Sequence, residues 1–155
     1  MASLIALSEF GKVRHSEYVD HKSGIDDMQL KILMSRSSTI YVGNLNFSTT
    51  EAAIYSVFSQ FGPIKRIIRG VNKLTLTPCG FCFVEFFDRA SALATLGKSI
   101  KIKIDGEIVR CDLDRGYEVG REFGRGASGN QVRDEHKFRG VGRQNPKRQR
   151  FNDRR

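Results

Sequence analysis

Residues 79–86 read Cys79-Gly80-Phe81-Cys82-Phe83-Val84-Glu85-Phe86. The run is rich in aromatic and β-branched residues and predicts a strand over 80–87. A strand sends alternate side chains to opposite faces of its sheet. With Cys82, Val84 and Phe86 turned to a core, Phe81 and Phe83 turn to the opposite, open face. The residues on either side decide whether such a sheet can be completed.

Upstream, Thr39-Ile40-Tyr41-Val42-Gly43-Asn44-Leu45 is a second β-prone run that ends at a turn signal. Ile40 and Val42 belong to the core, which leaves Tyr41 on the open face. Ser48-Thr49-Thr50-Glu51 has the form of a capping box, with Ser48 as the cap and Glu51 reaching back. Ile54, Val57, Phe58 and Phe61 then recur at helical spacing until Gly62-Pro63 stops the helix. Ile64 to Val71 predicts a strand, and Asn72 to Cys79 a loop. Downstream, Asp88 can cap a second helix with Ala90, Leu93 and Ala94 facing inward. A turn at Asp105-Gly106 precedes a last strand, Glu107 to Leu113. It sends Val109, Cys111 and Leu113 to the core and Arg110, Asp112 and, just past its end, Asp114 to the open face. The order βαββαβ predicts an α+β, ferredoxin-like domain over residues 38–114: a four-stranded antiparallel sheet with two helices on one face.

The chain has 155 residues, 26 Lys and Arg against 17 Asp and Glu, and a formal net charge of +9. The charge is unevenly placed. Residues 1–37 balance at zero, 38–114 carry +2, and 115–155 carry +7. The last stretch holds seven of the 15 Gly and almost no aliphatic residues, so it cannot build a core of its own and is expected to be disordered or to fold on binding. A strongly basic chain implies a polyanionic partner without saying which. No apolar run is long enough to span a membrane, and the N-terminus lacks the pattern of a secretory signal. Three Cys are too few for a disulfide scaffold and suggest a reducing compartment.

Three aromatics, an arginine and two carboxylates on one sheet face suit the stacking of flat rings. The plain alternatives are aromatics covered by flanking segments and carboxylates that are simply solvated. Cys79-x-x-Cys82 has metal or redox spacing. A zinc site needs four ligands, and only Cys111 and three scattered His remain, so Cys82 and Cys111 read as core packing and no metal is expected. Gly120 to Gly129 lacks the ending of a Walker loop. No Ser/His/Asp set or helical His pair stands out, so a binding protein rather than an enzyme is expected, with no cofactor.

The run from Ile40 to Leu45 and the octamer at 79–86 resemble the two short motifs of the RNA recognition motif, with departures at Cys79 and Cys82. A narrower resemblance spans roughly Tyr18 to Glu135. Arg110-Cys111-Asp112-Leu113-Asp114, Gly116-Tyr117, Gly120-Arg121, Phe123-Gly124-Arg125-Gly126, Ser128-Gly129 and Gln131-Val132-Arg133-Asp134-Glu135 are similar to the small subunits of nuclear cap-binding complexes.

That resemblance implies recognition of the 7-methylguanosine 5′ cap of RNA. Methylation at N7 makes the base cationic, and a flat cation gains from two flanking rings by stacking and cation–π attraction, about 0.5–2 kcal/mol. It implies Tyr41 and Tyr18 as those rings. Asp112 and Asp114 can accept the guanine N1–H and N2–H; Arg110, two residues earlier on the same face, can orient Asp112, and strand alternation turns the Leu113 side chain away and leaves its backbone for a further edge contact. The resemblance gives Phe81 and Phe83 as the pocket floor that stacks the next base, and Arg121, Arg125, Gln131, Arg133 and the backbone of Val132 as holders of the triphosphate. Some members have a tryptophan at the place of Leu113, and His136 stands where some have a second-nucleotide tyrosine. The resemblance further implies a heterodimer with a large helical-repeat subunit, nuclear residence with or without shuttling to the cytoplasm, and roles in mRNA processing, splicing and export. The chain then divides into an N-terminal extension with a short helix (1–37), the RNA recognition motif (38–114), a Gly/Arg cap-binding segment ordered on binding (115–135) and a basic, disordered tail (136–155). In the tail, Pro146-Lys147-Arg148-Gln149-Arg150 fits either a nuclear localisation cluster or a nonspecific RNA-binding arm. The competing functional classes are a general single-stranded RNA-binding protein with an Arg/Gly tail and a protein-interaction module with a silent RNA face.

Overall fold

The computed structural model describes residues 23–98 and 101–135. A helix, α1 (Asp27–Arg36), leads into β1 (Thr39–Gly43). Then come α2 (Glu51–Phe58) with a 3₁₀ turn at Ser59–Phe61, β2 (Ile64–Val71), β3 (Pro78–Phe86) and α3 (Arg89–Gly97). A small hairpin of β4 (Lys103–Ile104) and β5 (Glu107–Ile108) precedes β6 (Arg110–Asp114). The main sheet runs β2-β3-β1-β6, with every neighbouring pair antiparallel. This is the ferredoxin-like α+β fold that the alternating motifs predict.

One face of the sheet holds the core. Ile40, Val42, Cys82, Val84, Phe86, Cys111 and Leu113 pack with Ile54 and Phe58 of α2 and Ala92 of α3. Burying an aliphatic or aromatic side chain of this size contributes about 1.5–3 kcal/mol each. The period-2 alternation therefore assigns this face correctly on all three strands.

Four local expectations need correction. The cap of α2 is Thr50, whose hydroxyl accepts from Ala53 N, not Ser48. Ser48 is already bound to Asn46 Oδ1 through its own N–H and hydroxyl, so the helix starts two residues later. In α3 the inward face is Ser91, Ala92 and Thr95, while Ala90 and Ala94 are exposed and Leu93 is half-buried. Ser91 abuts Gly62, and Thr95 Oγ1 donates to Ser91 O at 3.0 Å. Small polar residues sit inside because their hydroxyls are satisfied there, which an apolar count does not register. Asp88 does cap this helix, accepting from Ser91 N at 2.8 Å. Strand β3 begins at Pro78, which pairs with Val71, and ends at Phe86. The last predicted strand is split. Glu107 and Ile108 pair with Lys103 and Ile104 across a turn with positive φ at Asp105 and Gly106, and the main sheet resumes only at Arg110.

Helix α1, capped by Asp26 on Gln29 N, buries none of its residues. Arg89 at the start of α3 ties its end down by donating to Met34 O and Ser37 O.

Candidate nucleic-acid interface

The sheet face away from the helices is organised by register. Tyr41 on β1 lies between Phe83 on β3 and Asp112 on β6, and Phe83 in turn pairs with Ile68 on β2. One step along β1 toward its end, Gly43 lies beside Arg110; toward its start, Thr39 lies beside Asp114. Tyr41 and Phe81 are stacked at 5.7 Å between ring centroids, and Phe83 meets both edge-on at about 6 Å. The Tyr41 ring leans over Gly43: a Cβ there would stand 2.9 Å from Tyr41 Cε1. Only glycine leaves room for the ring in that position.

Residues 115–135 fold back over this face. Val71 N donates to Glu122 O, and Gly124 N donates to Val71 O, so that Phe123 makes a parallel bridge on the outer edge of β2. Asn72 fixes the junction. Its Oδ1 accepts from Leu74 N and Thr75 N, while its Nδ2 donates to Asn130 Oδ1 and Ser128 O. Lys73 N donates to Gly129 O. Tyr117 then packs against Phe83 at 5.8 Å, with its hydroxyl donating to Glu122 Oε2 at 2.6 Å and the Arg66 guanidinium 5.1 Å from its ring. The aromatics of β3 are therefore not an open platform. Phe81 is 5% and Phe83 3% exposed, and only Tyr41 of the three keeps partial access. The composition of 115–155 lacks a core, yet 115–135 borrows one from the sheet.

The remaining candidates fall into groups. Arg110 Nε donates to Asp112 Oδ2 at 3.1 Å. Asp114, 9% exposed, is held by Arg121, whose two terminal nitrogens reach its two oxygens at 2.7 and 2.8 Å. The same guanidinium lies 4.9 Å from the Phe83 ring centre. Asp114 and Arg121 are thus brought together as a bidentate pair rather than presented apart. The Leu113 side chain is buried in the core on the other side of the sheet. Gln131 accepts from the Tyr41 hydroxyl at 2.9 Å and donates to Cys79 O at 2.8 Å, clamping the segment to β1 and β3. Burial pushes the Tyr41 hydroxyl up to about 12, against the pull of Arg133 and Arg110 and with a smaller push from Asp112. All three charged side chains therefore lie within electrostatic reach of that ring. Val132 is exposed on a helical turn at 132–135. Arg125 lines a cleft with Lys73, Gly120, Phe123, Gly124 and Gly126. Tyr18, His136 and the cluster at 146–150 lie outside the described residues.

Three contributors escaped the sequence pattern: Asn72, Tyr117 and its partner Glu122. An Asn directly after a strand is a turn signal that could have marked the first. The two spaced cysteines part company, with Cys79 in the outer aromatic cluster and Cys82 in the core. In chemical terms the face offers a half-covered tyrosine for a flat base, a carboxylate beside it and cations around it for phosphates.

The family model described as the RNA recognition motif matches residues 40–110. Among curated proteins, the chain is 53% identical over 110 residues to nuclear cap-binding protein subunit 2 of Schizosaccharomyces pombe, covering 71% of this chain and 60% of that protein. It is 45% identical over 131 residues to nuclear cap-binding protein subunit 2 of Dictyostelium discoideum, covering 84% and 56%. It is 45% identical over 134 residues to the human protein of that name, covering 86% of each chain. The match thus spans less than two thirds of the first two relatives and most of the third.

Proposed function

The chain belongs to the nuclear cap-binding protein subunit 2 family, and from that membership we infer that it binds the 7-methylguanosine 5′ cap of RNA as the small subunit of a nuclear cap-binding complex. The observation that carries the inference is the cross-strand neighbourhood of Tyr41 and Asp112, with Arg110 bound to Asp112. A ring and a carboxylate at adjacent positions of one face can stack a cationic base and accept its N–H donors together.

In the proposed complex Tyr41 supplies one side of a sandwich and Tyr18 the other. Asp112 accepts from the guanine edge, with Asp114 and the Leu113 backbone completing the edge, and Arg110 keeps Asp112 in place. The bidentate Arg121 pair means that Asp114 acts from a fixed position. Phe81 and Phe83 form the floor. Arg125, Gln131, Arg133 and the Val132 backbone, with Arg121 nearby, surround the triphosphate. Cap binding is what finally orders the segment 115–135, and 1–37 and 136–155 are the extensions before and after it in the chain. A large helical-repeat subunit is the proposed partner, and the nucleus the proposed place of action, in mRNA processing, splicing and export. The protein acts by binding and carries out no reaction.

Competition between capped and uncapped transcripts of one sequence tests this directly. The capped transcript should win by at least tenfold, the equivalent of about 1.4 kcal/mol. Equal competition would favour a general single-stranded RNA-binding protein, which needs only the aromatics and the basic tail.

A further inference from the structure

Beyond the face of the sheet, at the end where β1 and β2 finish, lies a cleft of about 240 Å³ lined by Lys73, Gly120, Phe123, Gly124, Arg125 and Gly126. Lys73 is the member that no role has yet absorbed. It belongs to the loop between β2 and β3, and its side chain is exposed. Its place is nevertheless fixed. Its backbone N–H donates to Gly129 O, the Asn72 side chain ties the loop to Ser128 and Asn130, and Gly124 N closes on Val71 O. The Gly/Arg segment and the β2–β3 loop are thus locked to each other across the cleft. The result is two cationic side chains from separate elements over a wall of three glycines and one aromatic ring.

That combination suits a phosphate group. Lysine presents a compact cation, arginine a planar fork for two phosphate oxygens, and side-chain-free backbone allows close approach. The cleft also has room for the sugar attached to the phosphate. It is reached along the same segment that carries Gln131, bonded to Tyr41, and Arg133, within electrostatic reach of it. We propose that Lys73, acting with Arg125, forms a phosphate subsite for the RNA chain next to the cap pocket. The proposal deepens the cap-binding reading and rests on it for the direction in which the RNA leaves Tyr41. The phosphate is either part of the cap's own triphosphate or the first phosphodiester beyond it, and the two sources separate experimentally.

The test compares the 155-residue chain with its Lys73→Gln variant on three ligands: 7-methylguanosine triphosphate, a short capped oligonucleotide and the same oligonucleotide uncapped. The substitution keeps the backbone bond to Gly129, so the fold is retained. Loss of one charge-assisted phosphate contact should weaken binding about three- to tenfold and lower the salt slope by about 0.7. Weakening of the capped oligonucleotide alone supports a phosphodiester subsite, and equal weakening of both capped ligands supports a triphosphate subsite. Lys73→Arg should restore most of the affinity in either case. No change on any ligand overturns the proposal, and so does an equal loss in Lys98→Gln, an exposed lysine at the end of α3 that would report general charge alone. If the unaltered chain shows no preference for the capped oligonucleotide, the cap reading fails by itself. The uncapped ligand then decides the cleft by the same threefold threshold.

Discussion

Asp112 is the residue on which guanine selectivity should turn. It stands across from Tyr41 and is bonded to Arg110, so its carboxylate is aimed without being neutralised by a bidentate partner. Asp114 differs, because Arg121 occupies both of its oxygens. Asp112→Asn should lower the preference for methylated guanine over methylated inosine or adenine analogues by about five- to fiftyfold, since a charge-assisted acceptor becomes a neutral amide. Fluorescence titration with each analogue measures that ratio, and an unchanged ratio would remove Asp112 from the guanine edge. Tyr41 offers a second check. Its hydroxyl is held protonated up to about 12 by burial, while an unfolded chain ionises near 10. The folded state therefore favours the neutral phenol. This contribution is complete below pH 10 and is lost as pH rises from there to about 12. Ultraviolet titration should show Tyr41 ionising late, as well as Tyr117, which its bond to Glu122 also raises, and Tyr41→Phe should remove one late-ionising group while leaving that of Tyr117. The facing of Tyr41, Asp112 and Leu113 was legible in the sequence because a strand has period 2 and both neighbours of each position were unambiguous. The Asp114–Arg121 pair was not, since it forms across a turn whose path no periodicity describes.

At the scale of elements, the four main-sheet strands and the existence of both helices of the domain could be read from alternation, capping and spacing, whereas the docking of 115–135 could not. That docking rests on backbone hydrogen bonds to Val71 and Lys73 and on polar side chains, Asn72 and Gln131 above all, with Tyr117 packed on Phe83, rather than on an apolar stripe. A coreless composition argues that the segment cannot fold alone; it says nothing about a neighbour able to receive it. Gly129 shows how close the fit is, with φ at +87° and an added Cβ only 2.4 Å from Asn72 Oδ1. Asn72→Ala removes four hydrogen bonds at once, each contributing about 0.5–1.5 kcal/mol. Amide exchange should then accelerate at least tenfold in 122–130 while Val42 and Val84 stay protected. Unchanged protection in 122–130 would mean that the sheet aromatics alone hold the segment. The split of the last strand has a similar origin. Asp105-Gly106 marks a hairpin turn, but only the pairing of Lys103–Ile104 with Glu107–Ile108 shows that β5 leaves the main sheet.

Over the whole molecule the charge divides by task. The domain at 38–114 is nearly balanced and carries acids on the sheet face proposed to bind, while 115–155 holds most of the excess. A partner with both a cation and a polyanion matches that division, and a capped RNA end is such a partner: a positively charged base followed by phosphates. Affinity for RNA in general should fall steeply with salt, because it rests on phosphate contacts. Discrimination for the methylated base should persist, because in the proposed complex it rests on stacking and on Asp112 in a partly covered pocket. The most direct test is a pair of calorimetric titrations, 7-methylguanosine triphosphate and GTP, on the same preparation in the same buffer. The two ligands share their phosphates and differ at N7, so the basic segment contributes equally to both. Binding at least tenfold tighter for the methylated ligand is the predicted result; equal affinities would contradict a site built around a cationic base.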